Sequence, residues 1–224
     1  MRSFIRLNLF TLFKIIITFV STSTAQASLI KGYRYSVFTG VIKSRAQFKS
    51  SNGADQINVP LAIPNGGVGF ELRFKIFTLE VDGVLVKHQF QLIDSALAKI
   101  SKLYSWYGLQ VPVLARIHIG QYFSLGAGIY GEYALGSINA QSSNPVEVPN
   151  RTLDYYEFGL RRWDYGWLVD VSFNRGLIKK IGLGLRADGR VTQGLHELST
   201  LPGRSRTLAD YQFFVGLTLG KTHD

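Results

Sequence analysis

Apolar and polar residues alternate along most of the chain with a period of two. The alternation is clearest in "VGFELRFKI" at 68–76, in "LQVPVLARIHI" at 109–119 and in "YQFFVGLTL" at 211–219. Because successive side chains of a β-strand point to opposite faces, this period predicts strands with one apolar face. Eight such strands are predicted, at about 33–42, 67–77, 78–88, 105–119, 122–138, 163–173, 180–193 and 209–220.

The links between these strands alternate in length. Short turns are expected near 77–78, 120–121 and 174–179, and long loops near 43–66, 89–104, 139–162 and 194–208. Short turns at one rim and long loops at the other are typical of an antiparallel up-and-down sheet. Within the second long link, the range 90–103 has apolar residues at helical spacing, which favours a short amphipathic helix there.

Two architectures fit this pattern, a soluble barrel or sandwich with its apolar face inward and an outer-membrane barrel with that face toward lipid. The other face favours the membrane barrel, because it mixes glycines with charges of both signs and prefers arginine, which pairs well with carboxylates in a crowded interior. Most segments also reach the ~9–11 residues that a tilted membrane strand needs. Aromatic residues fall near strand ends, where interfacial girdles lie.

The charged face predicts a network of ion pairs that fills the lumen. The residues assigned to it are Glu71, Arg73, Glu80, Asp82, Arg116, Glu132, Asp170, Arg186, Asp188 and Arg190, and Arg34, Lys75, Arg162 and Asp164 share the same face. The segment "FSLGAGIYGEYAL" at 123–135 shows both faces, with Ile129 among the residues expected to face lipid. Its Glu132 is expected to find an arginine in the lumen, with Arg116 on the preceding strand as the candidate.

The N-terminus has the features of a secretory signal peptide. Arg2 and Arg6 precede an apolar stretch, and Ala25-Gln26-Ala27 forms a small-x-small cleavage pattern. We therefore expect a signal peptide at 1–27 and a barrel domain at 28–224. An uncleaved membrane anchor is the alternative, but its uninterrupted apolar run is shorter than the ~20 residues of a spanning helix.

Composition narrows the possible functions. The chain has no cysteine, which excludes a disulfide framework, a cysteine-linked lipid anchor and cysteine-based metal sites. Its net charge of +10 is spread along the sequence without a basic run, so no nucleic-acid partner is predicted.

The order of motifs resembles the small outer-membrane β-barrel family labelled porin-family or PorT-like. The motifs are "FTLEVDGVLV", "WYGLQVPVLARIHIGQYFSLGAGIYGEYAL", "DYGWLVDVSF", "IKKIGLGLRADGRV" and "YQFFVGLTLGK", and the resemblance covers 31–221. The resemblance implies an eight-stranded barrel with both termini in the periplasm, and it implies no settled activity. One departure is the tail at 220–224, since many such barrels end on an aromatic residue that serves assembly.

Few residues suggest catalytic or metal chemistry. His118 and His88 are better interpreted as interior histidines than as a general base or metal ligands, because their spacing does not indicate a metal site. His196, Glu197 and Ser199 in "HELS" contain the groups of a lipid-modifying hydrolase, but no oxyanion-hole signature accompanies them. We therefore predict no catalytic residue, no metal and no cofactor.

The sequence thus predicts an integral outer-membrane barrel with a non-enzymatic structural or interaction role and a lumen largely plugged by paired charges. A narrow pore for ions or small solutes is the alternative, and a lipid-modifying enzyme is favoured less. The expected partners are outer-membrane lipid and lipopolysaccharide, the outer-membrane assembly machinery, and a protein bound through the long loops.

Overall fold

The computed structural model describes most of the chain outside its N-terminus. The described residues are 30–50, 57–60, 62–74, 76–93, 101–142, 150–155, 160–195 and 204–222. The predicted signal peptide at 1–27 lies outside them, and so do Lys75, His196, Glu197 and Ser199.

Ten β-strands make up the described fold, and eight of them are long. They are β1 (Ile30–Ser50), β2 (Ile57–Pro60), β3 (Ala62–Phe74), β4 (Phe77–Ile93), β5 (Ser101–Ile119), β6 (Phe123–Ser142), β7 (Arg151–Leu153), β8 (Trp163–Ile178), β9 (Leu183–Gly194) and β10 (Arg204–Thr222). A single 3-10 turn, Lys179–Ile181, joins β8 to β9.

The eight long strands pair as a closed antiparallel ring. The order around the ring is β1, β3, β4, β5, β6, β8, β9 and β10, and β10 returns to pair with β1. The short strands β2 and β7 pair with β4 and β6. The predicted fold class, an eight-stranded antiparallel up-and-down barrel, is therefore confirmed.

The two ends of the barrel differ. The links from β3 to β4, β5 to β6 and β8 to β9 are a few residues long and lie at one end, together with the start of β1 and the end of β10. We call this the short-turn end and the opposite one the long-loop end. Gly120 and Gly182 in two of these turns have φ angles of 68° and 67°, a left-handed conformation that glycine adopts without steric cost.

The strands extend beyond their predicted bounds, chiefly toward the long-loop end. β1 continues to Ser50 and β10 begins at Arg204, so parts of the predicted loops are strand. The amphipathic helix predicted at 90–103 is wrong where the chain is described, because 90–93 belong to β4 and 101–103 to β5. In these residues β4 and β5 pair through backbone hydrogen bonds. A helix as short as the predicted one is only marginally stable without tertiary packing, so the strand pairing is favoured.

Other bounds differ by smaller amounts. The first short turn was predicted at 77–78, whereas β3 ends at Phe74 and β4 begins at Phe77. The tail at 220–224 differs from the usual end of such barrels less than its sequence suggests. β10 runs to Thr222, and its last residues pair with β1. Backbone pairing with the first strand therefore continues past Leu219, where the apolar alternation stops.

The burial pattern is the inverse of that in a water-soluble barrel. Charged side chains point inward and are buried, as with Glu80 and Arg186, both 0% exposed. Large apolar side chains point outward, as with Val37 and Ile129, both 67% exposed. Since an apolar exterior of this extent is unfavourable in water, lipid is the medium that suits it. Among the described residues there is no helix of the length and apolarity required for a membrane span.

Aromatic residues bound the apolar exterior on both sides. Phe123 packs against Phe173 near the short-turn end, and Tyr133 packs against Trp163 toward the long-loop end. Phe123 and Tyr133 belong to the same strand and are ten residues apart. At about 3.3 Å per residue and a tilt near 40°, this spacing gives a band about 25 Å tall, the usual height of the apolar belt of an outer-membrane barrel.

Two glycines of β6 allow a test of which face of the strand points into the narrow interior. A Cβ atom on Gly128 would overlap the carbonyl oxygen of Val113 on β5, whereas one on Gly131 would have no atom within 4 Å. We expect Gly128→Ala to lower the free energy of unfolding by about 1–3 kcal/mol, the usual cost of overpacking. Gly131→Ala is the control and should leave stability nearly unchanged. Urea unfolding of both variants in lipid vesicles measures the difference, and equal stabilities would contradict the assigned faces of β6.

Candidate functional site

A belt of arginines and carboxylates crosses the lumen between the two aromatic girdles. Its members are buried and come from β3, β4, β5, β8 and β9: Glu71, Glu80, Asp82, Arg116, Asp170, Arg186, Asp188 and Arg190. We call these eight residues the central belt. It unites eight of the ten residues that the sequence assigned to a lumen network, and it leaves out Arg73 and Glu132.

Glu80 is the hub of the central belt. Its Oε2 accepts a hydrogen bond from Arg116 Nη1, and its Oε1 accepts from Arg186 Nη2 at 2.5 Å and from Arg190 Nη2 at 3.0 Å. One carboxylate therefore receives donors from all three arginines of the belt. A buried carboxylate is stable in such a place only when charged donors replace the water it has lost.

The remaining carboxylates complete the belt around the arginines. Asp170 binds Arg116 through both of its oxygens, at 2.6 and 3.0 Å, and also accepts from Arg190 at 3.2 Å. This two-point geometry is the fork-to-fork arrangement that makes arginine suited to carboxylate pairing. The outer contacts are Arg186 to Asp188 at 2.5 Å, Arg186 to Glu71 at 3.2 Å and Arg190 to Asp82 at 2.5 Å.

Strand register and glycines explain how the belt fits inside eight strands. Asp170 lies directly across from Arg190 on one side and from Gly126 on the other, and Gly126 in turn lies across from Arg116. A Cβ atom on Gly126 would come within 2.8 Å of the Arg116 side chain. The glycine therefore leaves the space through which Arg116 reaches Asp170, two strands away.

Two aromatic rings flank the belt toward the long-loop end. The guanidinium carbon of Arg186 lies 5.4 Å from the centre of the Phe38 ring, and that of Arg190 lies 5.5 Å from the Phe214 ring. The two rings contact each other in an edge-to-face arrangement and pack with Ile42, Val84 and Val86. Cation–π contacts of this kind add to the ion pairs and exclude water beside them.

Glu132 belongs to a second group, which we call the histidine cluster. His88 lies between Ser44, 2.8 Å from its Nδ1, and Glu132, 2.7 Å from its Nε2. Gln110 also donates to Glu132 at 3.2 Å. The predicted pairing of Glu132 with Arg116 is therefore wrong, because Arg116 lies across from Gly126, six residues along β6 and about 20 Å away at strand spacing.

The histidine cluster contains two arrangements that resemble known kinds of site, a catalytic triad and a cation site. Ser44, His88 and Glu132 have the composition of a nucleophile, base and orienting acid, yet all three are buried. His88, Glu132 and Asp210 can each bring one ligand atom within 4.8 Å of the others, which is the spacing of a cation site. Both ring nitrogens of His88 already have hydrogen-bond partners, so a metal would have to displace Ser44 or Glu132.

At the long-loop end, apolar side chains pack inside the barrel in a group that we call the outer plug. Tyr155 and Leu160, from the segment between β7 and β8, are buried against Trp106, Ala134, Ile138, Leu208 and Tyr104. The Arg162 guanidinium lies 4.7 Å from the Tyr155 ring and pairs with Asp154 at 3.1 Å. Burial raises the pKa of Tyr155, so its phenol stays neutral in this packing. A cavity of about 10 Å³ lies between the plug, Glu132 and Asp164, which is about the space of one water molecule.

The other predicted residues lie at the two ends of the lumen. Arg34, Arg73 and His118 line a cavity at the short-turn end, which we call the vestibule. His118 is held there by Thr78, whose hydroxyl lies 2.7 Å from its Nε2. Asp164 accepts a hydrogen bond from the Tyr130 hydroxyl at 2.9 Å, close to the histidine cluster.

Sequence reasoning missed two groups of this interior. Asp210 shares the inward face of β10 with Gln212 and Phe214. The alternation of faces along the strand could have shown that it points inward, but it lay at the edge of the predicted strand. Tyr155 and Leu160 lay inside a predicted long loop, where no periodicity indicates that a side chain turns back into the barrel.

The family model described as "Outer membrane protein beta-barrel domain" matches residues 23–199, about four fifths of the chain. A comparison with curated proteins finds no match.

Several solved structures are similar to the chain at low sequence identity. Ail, the attachment invasion locus protein of Yersinia pestis, is 12% identical at a TM-score of 0.40 and covers 83% of this chain and 98% of its own. Neisserial surface protein A is 10% identical at a TM-score of 0.41, with coverages of 84% and 96%. AlkL, determined in lipid bilayers, is 12% identical at a TM-score of 0.43, with coverages of 88% and 93%.

Proposed function

The chain belongs to the outer membrane protein beta-barrel domain family, and on that basis we propose that this integral protein of the cell outer membrane is a closed barrel with a non-enzymatic, structural or interaction role. The observation that carries the proposal is the central belt. Three arginines and five carboxylates, none more than 5% exposed, extend from strand to strand across the lumen. Barrels of eight strands are just wide enough for side chains to fill them.

The closure is electrostatic as well as steric. An ion that crossed the belt would have to separate guanidinium groups from carboxylates in a dry interior, where each such pair is held far more strongly than in water. The outer plug adds a second barrier of apolar side chains at the long-loop end. Two different barriers in series therefore favour a lumen through which ions do not flow steadily.

The burial of the histidine cluster supports the non-enzymatic part of the proposal. A serine nucleophile has to meet a carbonyl carbon, and a base has to take its proton while both are in contact with the substrate. Ser44 is 2% exposed and His88 is 0% exposed. The hydrogen bonds of this cluster are therefore better suited to holding β1, β4 and β6 in register than to turnover.

The exterior of such a barrel determines where partners can bind. The apolar band between the girdles suits lipid tails, and lipopolysaccharide is a further partner within this proposal. The strands of the long-loop end continue past the upper girdle, as β5 and β6 do from Tyr107 and Tyr133 to Lys102 and Ser142. We assign protein partners to this end, because loops on a rigid scaffold are the usual place for recognition.

A narrow pore is the alternative function, and conductance separates it from a closed barrel. In planar bilayers we expect the protein to give no steady open state, because the central belt blocks the lumen even without the outer plug. The double variant Tyr155→Gly/Leu160→Gly tests this directly by removing the plug while leaving the belt intact. Current at baseline in both proteins is the expected result, and a steady channel in the unmodified protein would contradict the proposal.

A further inference from the structure

The two carboxylates at the centre of the histidine cluster share one base. Glu132 and Asp210 are both buried, and the ion pairs that they form among the described residues are both with His88. One imidazole, even when protonated, balances only one of these two carboxylates. Because a buried charge without a counter-charge is costly, the cluster has a further requirement for positive charge.

The space between His88 and Asp210 has the size of a metal ion. Asp210 Oδ1 lies 3.8 Å from His88 Nδ1, which is too far for a hydrogen bond. That oxygen is buried and has no hydrogen-bond partner among the described residues. An ion that bound both atoms at about 2.1 Å, the usual distance for zinc, would lie between them with an angle of about 130° at the ion. The two atoms are therefore placed as two ligands of one ion.

Glu132 holds the imidazole in the orientation that such a site needs. Its Oε1 lies 2.7 Å from Nε2 of His88, so it accepts the Nε2–H of a neutral ring and leaves the Nδ1 lone pair for an ion. A carboxylate on the second nitrogen is the usual arrangement around a histidine that binds a metal. Glu132 is itself fixed, because Gln110 donates to its other oxygen at 3.2 Å and Gln212 donates to Gln110 at 3.0 Å.

The strands next to Asp210 supply further oxygen atoms. Ser44 lies directly across from Asp210 in the β1–β10 pair, and its Oγ is 2.8 Å from His88 Nδ1. Thr192 lies directly across from Asp210 in the β9–β10 pair and is buried as well. When an ion binds Nδ1, the Ser44 hydroxyl loses its acceptor there and its oxygen is free to turn toward the ion. A water molecule is expected as the fourth ligand.

We propose that the histidine cluster binds one divalent transition-metal ion. His88 Nδ1, Asp210 Oδ1 and Ser44 Oγ are its ligands, and Glu132 positions the imidazole. A nitrogen ligand beside oxygen ligands suits zinc better than calcium or magnesium, which take oxygen ligands. His88 belongs to β4 and Asp210 to β10, and β3 and β1 separate these strands in the ring. The ion therefore cross-links two strands across the lumen, and its ligands are too far apart in the sequence for their spacing to indicate a metal site.

The competing explanation is a doubly protonated His88 that serves as the counter-charge without any metal. Its Nδ1–H would then donate to Ser44, and no proton would be directed at Asp210 Oδ1. The metal is favoured because a charged imidazole beside a carboxylate normally donates to it at about 2.8 Å. Asp210 Oδ1 instead lies at 3.8 Å without a donor among the described residues. The two explanations differ in whether the folded protein retains a metal ion.

The test measures the metal content of the purified protein. The chain has four histidines, and every protein in the test carries His196→Gln and His223→Gln, so that His88 and His118 remain. Because the site is buried, this parent protein is refolded in neutral detergent with an excess of zinc chloride. Unbound metal is removed by gel filtration, and bound zinc is measured by mass spectrometry. Heat-modifiable migration on gels verifies that each protein is folded.

Three further variants make the measurement specific. His88→Gln and Asp210→Asn each remove one ligand, and His118→Gln is the matched control because it removes the histidine of the vestibule. We expect about one zinc ion per barrel in the parent and in the control, and at least about tenfold less in each ligand variant. Glu132→Gln should weaken zinc binding by about 10–100-fold, the usual effect of removing the group that positions a metal-binding histidine.

A second measurement decides the question if the ligand variants do not fold. The parent protein refolded with cobalt chloride should show the visible absorption of a four-coordinate cobalt ion, and His118→Gln should leave that spectrum unchanged. If the parent retains no zinc, if His88→Gln retains as much as His118→Gln, or if the cobalt spectrum is that of the ion in water, His88 is only a counter-charge and the proposal is overturned. No substitution replaces a residue of the central belt or the outer plug, so the result is independent of the conductance test.

Discussion

Replacing Arg186 with methionine is expected to lower the free energy of unfolding of the barrel by about 3–5 kcal/mol, the usual cost of leaving buried charges without their partner. Arg186 is fully buried and donates to Glu71, Glu80 and Asp188. Methionine fills much of the same volume, so the loss reports the missing charge rather than a cavity. The measurement is denaturant unfolding in lipid vesicles, followed by the fraction of heat-modifiable, folded protein.

Two comparisons make this experiment specific. Arg175→Met removes an exposed arginine from the adjacent strand β8 and should change stability by no more than about 0.5 kcal/mol. Adding Glu71→Gln to Arg186→Met should restore part of the stability, because Arg186 is the donor of Glu71 among the described residues and the second change removes the carboxylate left without it. If Arg186→Met unfolded like the unmodified protein, the central belt would not hold the barrel together and its closure of the lumen would be in question.

The sequence was sufficient for the barrel because its strongest signal is geometric. Alternation of faces is a property of each strand alone, so the inward position of Arg186 or Asp170 follows from parity without knowledge of its neighbours. The number of strands follows from counting such segments, and the ring then has to close because open edges are not tolerated in lipid. The extra strand length at the long-loop end did not follow, since the alternation there is weak.

The partners of the inward charges could not be predicted in the same way. Whether Glu132 meets Arg116 depends on the register of β5 against β6, and a shift of six residues separates the two side chains completely. The contact of His88 with Ser44 joins β4 to β1, which are separated by β3 in the ring. Such contacts across a lumen depend on strand order, stagger and tilt together, and these are properties of the closed barrel rather than of any strand.

An arginine in place of Ile129 is expected to cost about 2–4 kcal/mol of folding free energy, the usual cost of a basic side chain at the midplane of the bilayer. Ile129 is exposed on β6 and lies four residues from the girdle position Tyr133 and six from Phe123, close to the centre of the apolar band. Leu135→Arg places the same side chain on the same strand just beyond Tyr133, where the cost should fall to about 0–1 kcal/mol. Folding yield and urea unfolding in vesicles measure both variants. Equal costs at the two positions would mean that the outward face of β6 does not meet lipid at these depths. A larger cost at Ile129 would locate the membrane between the two aromatic girdles, with the central belt inside it.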